Sequence, residues 1–126
     1  MLTQNLVAFS IVNTDFETIF FDLQGVRLHA VAAGPKDGEV VILLHGFPEF
    51  WICWRHQITP LADAGHRVIA LDQRGYNLSD KPNHVADFRL DKLAGDVISL
   101  LDHLNIERAH VAGHDCGASE IGRAHV

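Results

Sequence analysis

Cysteine and basic side chains are both scarce in this chain. Its 126 residues include two cysteines, Cys53 and Cys116, which are too few for the disulfide framework of a small secreted domain. Ten lysines and arginines stand against sixteen aspartates and glutamates, which gives a formal net charge of −6. Nucleic acids and acidic membranes attract basic proteins, so this charge balance argues against both as partners. Because the two cysteines form no disulfide framework, a reducing, cytoplasmic location is expected.

Long apolar runs and clustered metal ligands are missing as well. No stretch approaches the roughly 20 apolar residues that a membrane-spanning helix needs. Residues 1–13 have neither the basic start nor the apolar centre of a signal peptide. The nine histidines are scattered, and the four-residue spacing of His110 and His114 falls on a predicted strand and turn, where it does not place both on one face. The sequence predicts no membrane span and no metal site.

Apolar runs rich in β-branched residues predict a hairpin followed by buried strands. Residues 18–23 and 26–32 are two such runs on either side of Gln24-Gly25, a pattern typical of an antiparallel hairpin. Residues 40–44 and 67–71 are continuous apolar runs, as expected for strands that are buried on both faces.

Two helices and one more strand are predicted around these runs. The first helix ends at Gly65, and Pro60 is expected to kink it or to end its first part. Its apolar face consists of Trp51, Trp54, Ile58, Leu61 and Ala62. The second helix covers residues 90–104, where apolar residues recur every three or four positions up to Asn105. The run at 106–111 predicts the last strand.

A hairpin followed by alternating strands and helices predicts an α/β fold. Its later strands are expected to be parallel, with crossover helices on both faces in three αβα layers. Residues 15–119 are expected to form one partial core domain, after a loose leader at 1–14. Residues 120–126 are predicted to be a tail that does not continue the preceding apolar helix. We expect 121–126 to be a translated sequencing adapter, which the codons ATC GGA AGA GCA CAC GTC would show.

Three polar loops follow the predicted parallel strands, at 45–49, 72–76 and 113–117. Ligands of parallel sheets bind beyond the carboxyl ends of the strands, so these loops predict one site. The last loop has the pattern Gly-x-Asp-x-Gly around Asp115, the form of a strand-to-helix nucleophile elbow. Serine is the usual central residue of that turn. Aspartate is already ionised at neutral pH and can attack without a base, which makes Asp115 the predicted nucleophile and Cys116 a weaker rival.

Four ordered motifs make the chain similar to a known family. They are Leu44-His45-Gly46-Phe47-Pro48-Glu49, Trp54-Arg55-His56-Gln57-Ile58, Asp72-Gln73-Arg74-Gly75-Tyr76 with Leu78-Ser79-Asp80-Lys81-Pro82, and Gly113-His114-Asp115-x-Gly117. In this order they resemble the α/β-hydrolase fold superfamily, and within it the epoxide hydrolase and haloalkane dehalogenase branch. The resemblance covers residues 18–118 and implies the N-terminal half of that fold, without its cap domain, its acidic triad member or its late histidine.

The resemblance also implies a reaction. An epoxide hydrolase would open epoxides to diols through an ester on Asp115, with the backbone N–H groups of Phe47 and Cys116 as oxyanion donors. The resemblance implies a small-molecule substrate, no metal and no cofactor. Side chains expected to support the loop or line the pocket are His45, Pro48, Trp51 and His114. The chain itself is expected to be inactive, since the base and cap are absent.

Two alternative functions remain open. A haloalkane or haloacid dehalogenase would use the same nucleophile, although the dehalogenases that resemble this chain usually have Trp and Asn where it has Cys116 and Phe47. A hydrolase-fold binding protein would use the pocket without turnover. Tyr76, the single tyrosine, is expected to be a packing residue. The oligomeric state is left open.

Overall fold

The computed structural model describes residues 16–124, which form five strands and three α-helices. The elements are β1 (Glu17–Leu23), β2 (Val26–Ala33), β3 (Val40–Leu44), α1 (Arg55–Asp63), β4 (Arg67–Leu71), α2 (Leu90–His103), β5 (His110–Gly113) and α3 (Cys116–Ala124). Short 3₁₀ turns at Trp51–Trp54 and Val85–Phe88 precede α1 and α2. The predicted hairpin and the strands at 40–44 and 67–71 are confirmed.

The five strands form one mixed sheet in the order β1-β2-β4-β3-β5. The pairs β1–β2 and β2–β4 are antiparallel, whereas β3 runs parallel to both β4 and β5. Leu44 at the end of β3 lies opposite Leu71 of β4 and Gly113 of β5. The three parallel strands therefore end at one level, which we call the carboxyl edge, and the loops that follow them leave from it together.

Apolar packing covers both faces of the sheet. On one face Ile42 and Leu44 of β3 pack with Val97 and Leu100 of α2. On the other face Val41 and Leu43 pack with Ile58 of α1 and the buried ring of Trp51. All five residues of β3 are buried, as its continuous apolar run predicts. The α/β class with helices on both sides of the sheet is confirmed.

Of the two effects predicted for Pro60 in α1, a kink or an end to the first part of the helix, the second is wrong and the first stays a prediction. The helix continues through Pro60 to Asp63, so the proline does not end it. A proline removes one N–H donor, and here it does so at an exposed position, while Ile58 on the other side of the helix is fully buried. Packing of the buried side stabilises the helix against the loss of one hydrogen bond. The first turn, at Trp51–Trp54, is 3₁₀ and not α-helical.

The predicted strand at 106–111 is wrong in its bounds, since β5 covers His110–Gly113. Ile106 packs against the core from the loop before the strand, with the exposed Glu107 and Arg108 following it. An apolar side chain in a loop and one in a strand give the same pattern in the sequence. Only the pairing of β5 with residues 41–44 of β3 sets the strand's limits.

The helix α3 extends into the segment that was expected to be a separate tail. Residues 120–124 continue the helix, so the prediction that they would not is wrong. Ile121 packs against the core, and Glu120 is fully buried. Residues 1–14, the predicted leader, and 125–126 lie outside the described residues. The adapter origin of 121–126 stays a prediction for the coding DNA.

Glu120 is an unusual buried group, because neither of its carboxylate oxygens makes a hydrogen bond to any residue in the range 16–124. Burial raises the pKa of Glu120 from 4.5 to about 8, and the negative charge of Asp96 on α2 adds to this effect. The nearby Gln73 side-chain amide opposes the pKa shift. Arg74 does not neutralise Glu120, since its guanidinium is paired with Asp96 through two contacts of 2.7 Å.

Glu120 should make the stability of the fold depend on pH. Its folded-state pKa near 8 lies above its ordinary value of 4.5, so the folded chain keeps a proton that the unfolded chain releases. The free energy of unfolding therefore falls as the pH rises from about 4.5 to about 8 and loses nothing more from this group above that range. We expect Glu120→Gln to remove this slope, a change on the order of a few kcal/mol over the range. Urea unfolding across these pH values measures it.

The matched control for this measurement is Glu107→Gln, which neutralises an exposed glutamate. It should leave the pH slope of the free energy of unfolding as it is in the unaltered chain. A Glu120→Gln chain with that same slope would show that Glu120 is not buried as a protonated acid.

Candidate active site

The carboxyl edge places three loops side by side, at residues 45–49, 72–76 and 114–116. His45 and Gly46 are buried at the start of the first loop, whereas 67% of Phe47 is exposed and Pro48 is exposed as well. Asp72 begins the second loop and is fully buried. The predicted convergence of these loops is thus present, because β3, β4 and β5 end in register.

Asp115 occupies a sharp turn between β5 and α3. Its backbone has a φ of 56°, in the left-handed region that few residues other than glycine adopt. The turn is held by hydrogen bonds from His114 N–H to Leu44 O at 3.1 Å and from Gly117 N–H to His114 O at 3.0 Å. The side chain of Asp115 is exposed at the carboxyl edge. A strand, one left-handed residue and a helix thus present this carboxylate to solvent.

The glycines around Asp115 are required by close backbone approach. A Cβ on Gly117 would collide with the carbonyl of Leu44, and one on Gly113 would collide with the backbone of Gly117. A Cβ on Gly46, in the first loop, would lie 2.7 Å from the Cβ of Asp115. Real Cβ atoms do not come so close, so the loops can meet only where side chains are absent.

One oxygen of the Asp115 carboxylate is held by the first loop. The backbone N–H of Phe47 donates to Asp115 Oδ2 at 3.3 Å, a long contact for a hydrogen bond. Within residues 16–124 this is the one hydrogen bond that the carboxylate makes, and no histidine side chain reaches it. The N–H of Cys116, the other predicted donor, begins α3 beside Asp115 and makes no hydrogen bond within the same range. Oδ1 is left free.

His45 joins the first loop to the second. Its Nε2 accepts a hydrogen bond from the backbone N–H of Gln73 at 2.9 Å, and its Nδ1 lies 2.9 Å from the carbonyl oxygen of Gly46. The Gln73 side-chain amide donates in return to the carbonyl of His45 at 2.7 Å. Burial lowers the pKa of His45, and the Gly46 carbonyl opposes this only partly, which favours the neutral imidazole. The ring of Tyr76 packs edge-on against it, with 4.9 Å between the ring centroids.

Glu49 joins the first loop to the turn that carries Asp115. It does not cap the following 3₁₀ turn, which Phe50 precedes and which has no side-chain cap. Instead, Glu49 Oε1 accepts the N–H of Gly46 at 3.2 Å and lies 3.3 Å from Nδ1 of His114. The exposed His114 side chain thus points to the first loop and not to Asp115.

Asp72 is a buried junction between the second loop, β2 and the segment that begins at Trp51. Its carboxylate accepts hydrogen bonds from the backbone N–H of Trp51 and the side chain of Asn77, both at 2.8 Å, and lies 2.6 Å from His29 Nδ1 on β2. Trp51 therefore supports the loops through its backbone, while its ring lies in the core. The signal in the sequence was an aspartate directly after a buried strand, where only a well-paired carboxylate is tolerated.

Arg74 stabilises the second loop from the other side. It makes a bidentate ion pair with Asp96 of α2 and donates to the carbonyl of Asp87 at 2.9 Å. The hydrogen-bonded Asp96 raises the pKa of Arg74, since it favours the charged form. Asp72 and Arg74 thus hold neighbouring loops through separate partners and not through each other.

A cavity of about 200 Å³ adjoins the Asp115 turn. Its walls include Phe47, Tyr76, Phe88, Leu93 and Cys116. A larger cavity of about 850 Å³ is lined by residues of β3, β5, α2 and α3 and by none of the loops at the carboxyl edge. Of these two cavities, the smaller one is lined by Phe47 and Cys116, the two residues whose N–H groups were predicted as oxyanion donors.

Two further findings concern the part of the chain that the structure describes. No helix there is long and apolar enough to cross a membrane. Residues 16–124 also contain no group of three or more histidine, cysteine, aspartate or glutamate side chains that could hold a metal ion.

Sequence comparison finds similar proteins that match most of this chain. An AB hydrolase superfamily protein of Bacillus subtilis, YfhM, is 54% identical over 100 residues, which are 79% of this chain and 35% of that protein. Epoxide hydrolase B of Mycobacterium tuberculosis is 54% identical over 97 residues, 75% of this chain and 27% of that enzyme. The chain thus spans about a third of the length of such relatives.

Solved structures agree with this similarity. Epoxide hydrolase VrEH1 from Vigna radiata superposes with a TM-score of 0.84 at 34% identity, covering 89% of this chain and 34% of that one. Epoxide hydrolase A from Mycobacterium thermoresistibile gives a TM-score of 0.83 at 41% identity, covering 86% and 34%. The family model of the alpha/beta hydrolase fold matches residues 39–121. The chain therefore belongs to the α/β-hydrolase fold family and resembles its epoxide hydrolases.

Proposed function

We propose that this chain provides the nucleophile and the oxyanion donors of an epoxide hydrolase, with Asp115 as the nucleophile. The observation that carries the proposal is the left-handed turn that presents an ionisable carboxylate at the carboxyl edge, with one oxygen facing a backbone donor. The turn has the form of a nucleophile elbow. The similarity to proteins named epoxide hydrolases supports the choice of reaction.

The first step would be attack by Oδ1 of Asp115 on a ring carbon of the epoxide. A new carbon–oxygen bond forms, the ring carbon–oxygen bond breaks, and the departing oxygen takes a proton from solvent water, which leaves hydroxide. The product is a hydroxyalkyl ester of Asp115. The Phe47 N–H at Oδ2 leaves Oδ1 as the attacking atom, and this orientation contributes because a displacement of about 1 Å can slow such a step roughly a hundredfold.

In the second step, water would attack the ester carbonyl and place negative charge on Oδ2. The N–H of Phe47, which already donates to Oδ2, and the N–H of Cys116, the next residue after Asp115, would stabilise that charge. Collapse of the intermediate releases the diol and restores the carboxylate. Water needs a base for this attack, and no histidine within residues 16–124 hydrogen bonds to Asp115. We therefore propose that this chain stops at the ester and forms no diol.

The residues present favour epoxide opening over dehalogenation. Dehalogenation needs side-chain N–H donors for the departing halide, and Phe47 and Cys116, at the positions where dehalogenases usually have Asn and Trp, have none. The ring of His114 lies against Glu49. Halide release from a chloroalkane, without ester formation from an epoxide, would favour the dehalogenase. The absence of any ester with either compound would favour a binding protein.

Trapping of the ester tests the proposal directly. We expect styrene oxide to add once to the chain, with a mass increase equal to that of the epoxide and with the ester mapped to Asp115 after digestion. Asp115→Asn should abolish this product, because an amide is not a nucleophile at neutral pH. Asp91→Asn, which removes an exposed carboxylate on α2, is the control and should react like the unaltered chain. Equal labelling of the Asp115→Asn chain, or formation of diol, would contradict the proposal.

Gly46→Ala tests the contact between the first loop and Asp115. The added Cβ would lie 2.7 Å from Asp115 Cβ and 3.0 Å from the carbonyl oxygen of His114, so the loop has to move away. We expect ester formation to slow roughly a hundredfold. The free energy of unfolding should fall by about 1–3 kcal/mol. The time course of the mass shift and urea unfolding measure the two effects.

Gly95→Ala is the matched control for this substitution. Gly95 lies inside α2 with open space around it, so alanine should stabilise the helix by roughly 0.5–1 kcal/mol. Its rate of ester formation should not change. Equal rates for Gly46→Ala and Gly95→Ala would show that the approach of Gly46 to Asp115 has no part in the reaction.

A further inference from the structure

We propose that His45 is the positioning residue of the site: as a neutral imidazole with its proton on Nδ1, it orients the Gly46–Phe47 peptide so that Phe47 N–H faces Asp115. This inference rests on the proposed function for its consequence in the reaction. Its geometric part can be tested without any reaction.

The hydrogen bond from Gln73 defines the tautomer of His45. A backbone N–H can only donate, and Gln73 N lies 2.9 Å from Nε2 of His45. Nε2 therefore has a free electron pair, and in a neutral imidazole the proton is then on Nδ1. Nδ1 lies 2.9 Å from the carbonyl oxygen of Gly46, an acceptor, so Nδ1–H donates to it. Both ring nitrogens are satisfied by backbone groups in this tautomer and in no other.

The peptide plane transmits this contact to Phe47. The carbonyl of Gly46 and the N–H of Phe47 belong to one planar trans peptide and point in opposite directions. When His45 holds the carbonyl on one side, the N–H is directed to the other side, where Asp115 Oδ2 lies 3.3 Å away. The N–H of Glu49 donates to the same carbonyl at 3.0 Å and closes the turn. Glycine at position 46 would otherwise let this peptide rotate freely.

Burial keeps the His45 ring in its neutral form. His45 is 1% exposed, and its pKa is lowered by burial, so the imidazole stays neutral. A charged ring would carry a proton on Nε2 that faces the N–H of Gln73, and the hydrogen bond between them would be lost. Asp72 and Glu49 are the charged groups that act on His45, and both only partly offset burial. The direction of Phe47 N–H thus depends on a ring that does not touch substrate.

Two substitutions of His45 test the roles of its two ring nitrogens separately. The side-chain N–H₂ of asparagine can replace Nδ1 as the donor to Gly46, and the side-chain oxygen of glutamine can replace Nε2 as the acceptor from Gln73. Each variant keeps one hydrogen bond of His45 and loses the other. We expect His45→Asn to form the ester at nearly the rate of the unaltered chain and His45→Gln to be slower by roughly tenfold. If His45 only stabilised the fold, the rate of ester formation in each variant would fall in proportion to that variant's loss in free energy of unfolding.

Nuclear magnetic resonance tests the geometry independently of the reaction. Long-range ¹H–¹⁵N spectra of the unaltered chain should show the proton of His45 on Nδ1. The Phe47 amide proton should shift between the unaltered chain and Asp115→Asn, because its acceptor changes. Asp115→Asn should change the Phe47 amide shift by a similar amount when it is added to His45→Asn. When it is added to His45→Gln, the Phe47 shift should hardly change.

The outcomes distinguish the inference from the proposed function. A proton on Nε2 in the unaltered chain overturns the inference even if neither variant folds. Equal rates, or equal Phe47 shifts, in folded His45→Asn and His45→Gln overturn it as well. If the unaltered chain forms no ester although the tautomer and the Phe47 shifts are as expected, the proposed function fails and the positioning by His45 stands.

Discussion

The site depends on the close approach of three backbone segments at the end of β3. Gly117 lies against the carbonyl of Leu44, His114 N–H donates to that same carbonyl, and Gly46 lies against Asp115. Each contact is possible only because glycine has no Cβ, or because a strand end leaves a carbonyl free. The left-handed backbone of Asp115 follows from this crowding, since the turn into α3 has to clear the first loop. Strain at one residue is thus held in place by packing around it.

Buried polar groups then give the loops single positions. Asp72 and His45 are almost fully buried, and their polar atoms find partners in backbone or side-chain groups of neighbouring segments. A partner lost from such a network leaves a desolvated group that costs about 1–3 kcal/mol, so the loops have few alternatives. Glu120 on α3 is the exception, because within residues 16–124 its buried carboxylate oxygens have no hydrogen-bond partner.

Much of the fold was predictable, and the parts that were not have a common cause. The strands at 40–44 and 67–71 came directly from continuous apolar runs, and α2 from its three- and four-residue spacing. The limits of β5 and the path of α1 through Pro60 depend on which neighbours they meet, and sequence periodicity does not contain that information. For the same reason the sequence did not predict the contact of Glu49 with His114, sixty-five positions further along the chain.

The sequence by itself determined which chemistry the carboxyl edge can offer. It placed an aspartate between two glycines after a buried strand, and a His-Gly-Phe loop after another, because residue types and local order are properties of the chain. Only the tertiary structure decided which atoms meet. The Phe47 N–H faces one carboxylate oxygen and not the other, and His45 uses Nε2 for Gln73 and Nδ1 for Gly46. Such choices depend on the direction of peptide planes across segments distant in sequence, which the parallel register of β3 with β4 and β5 sets.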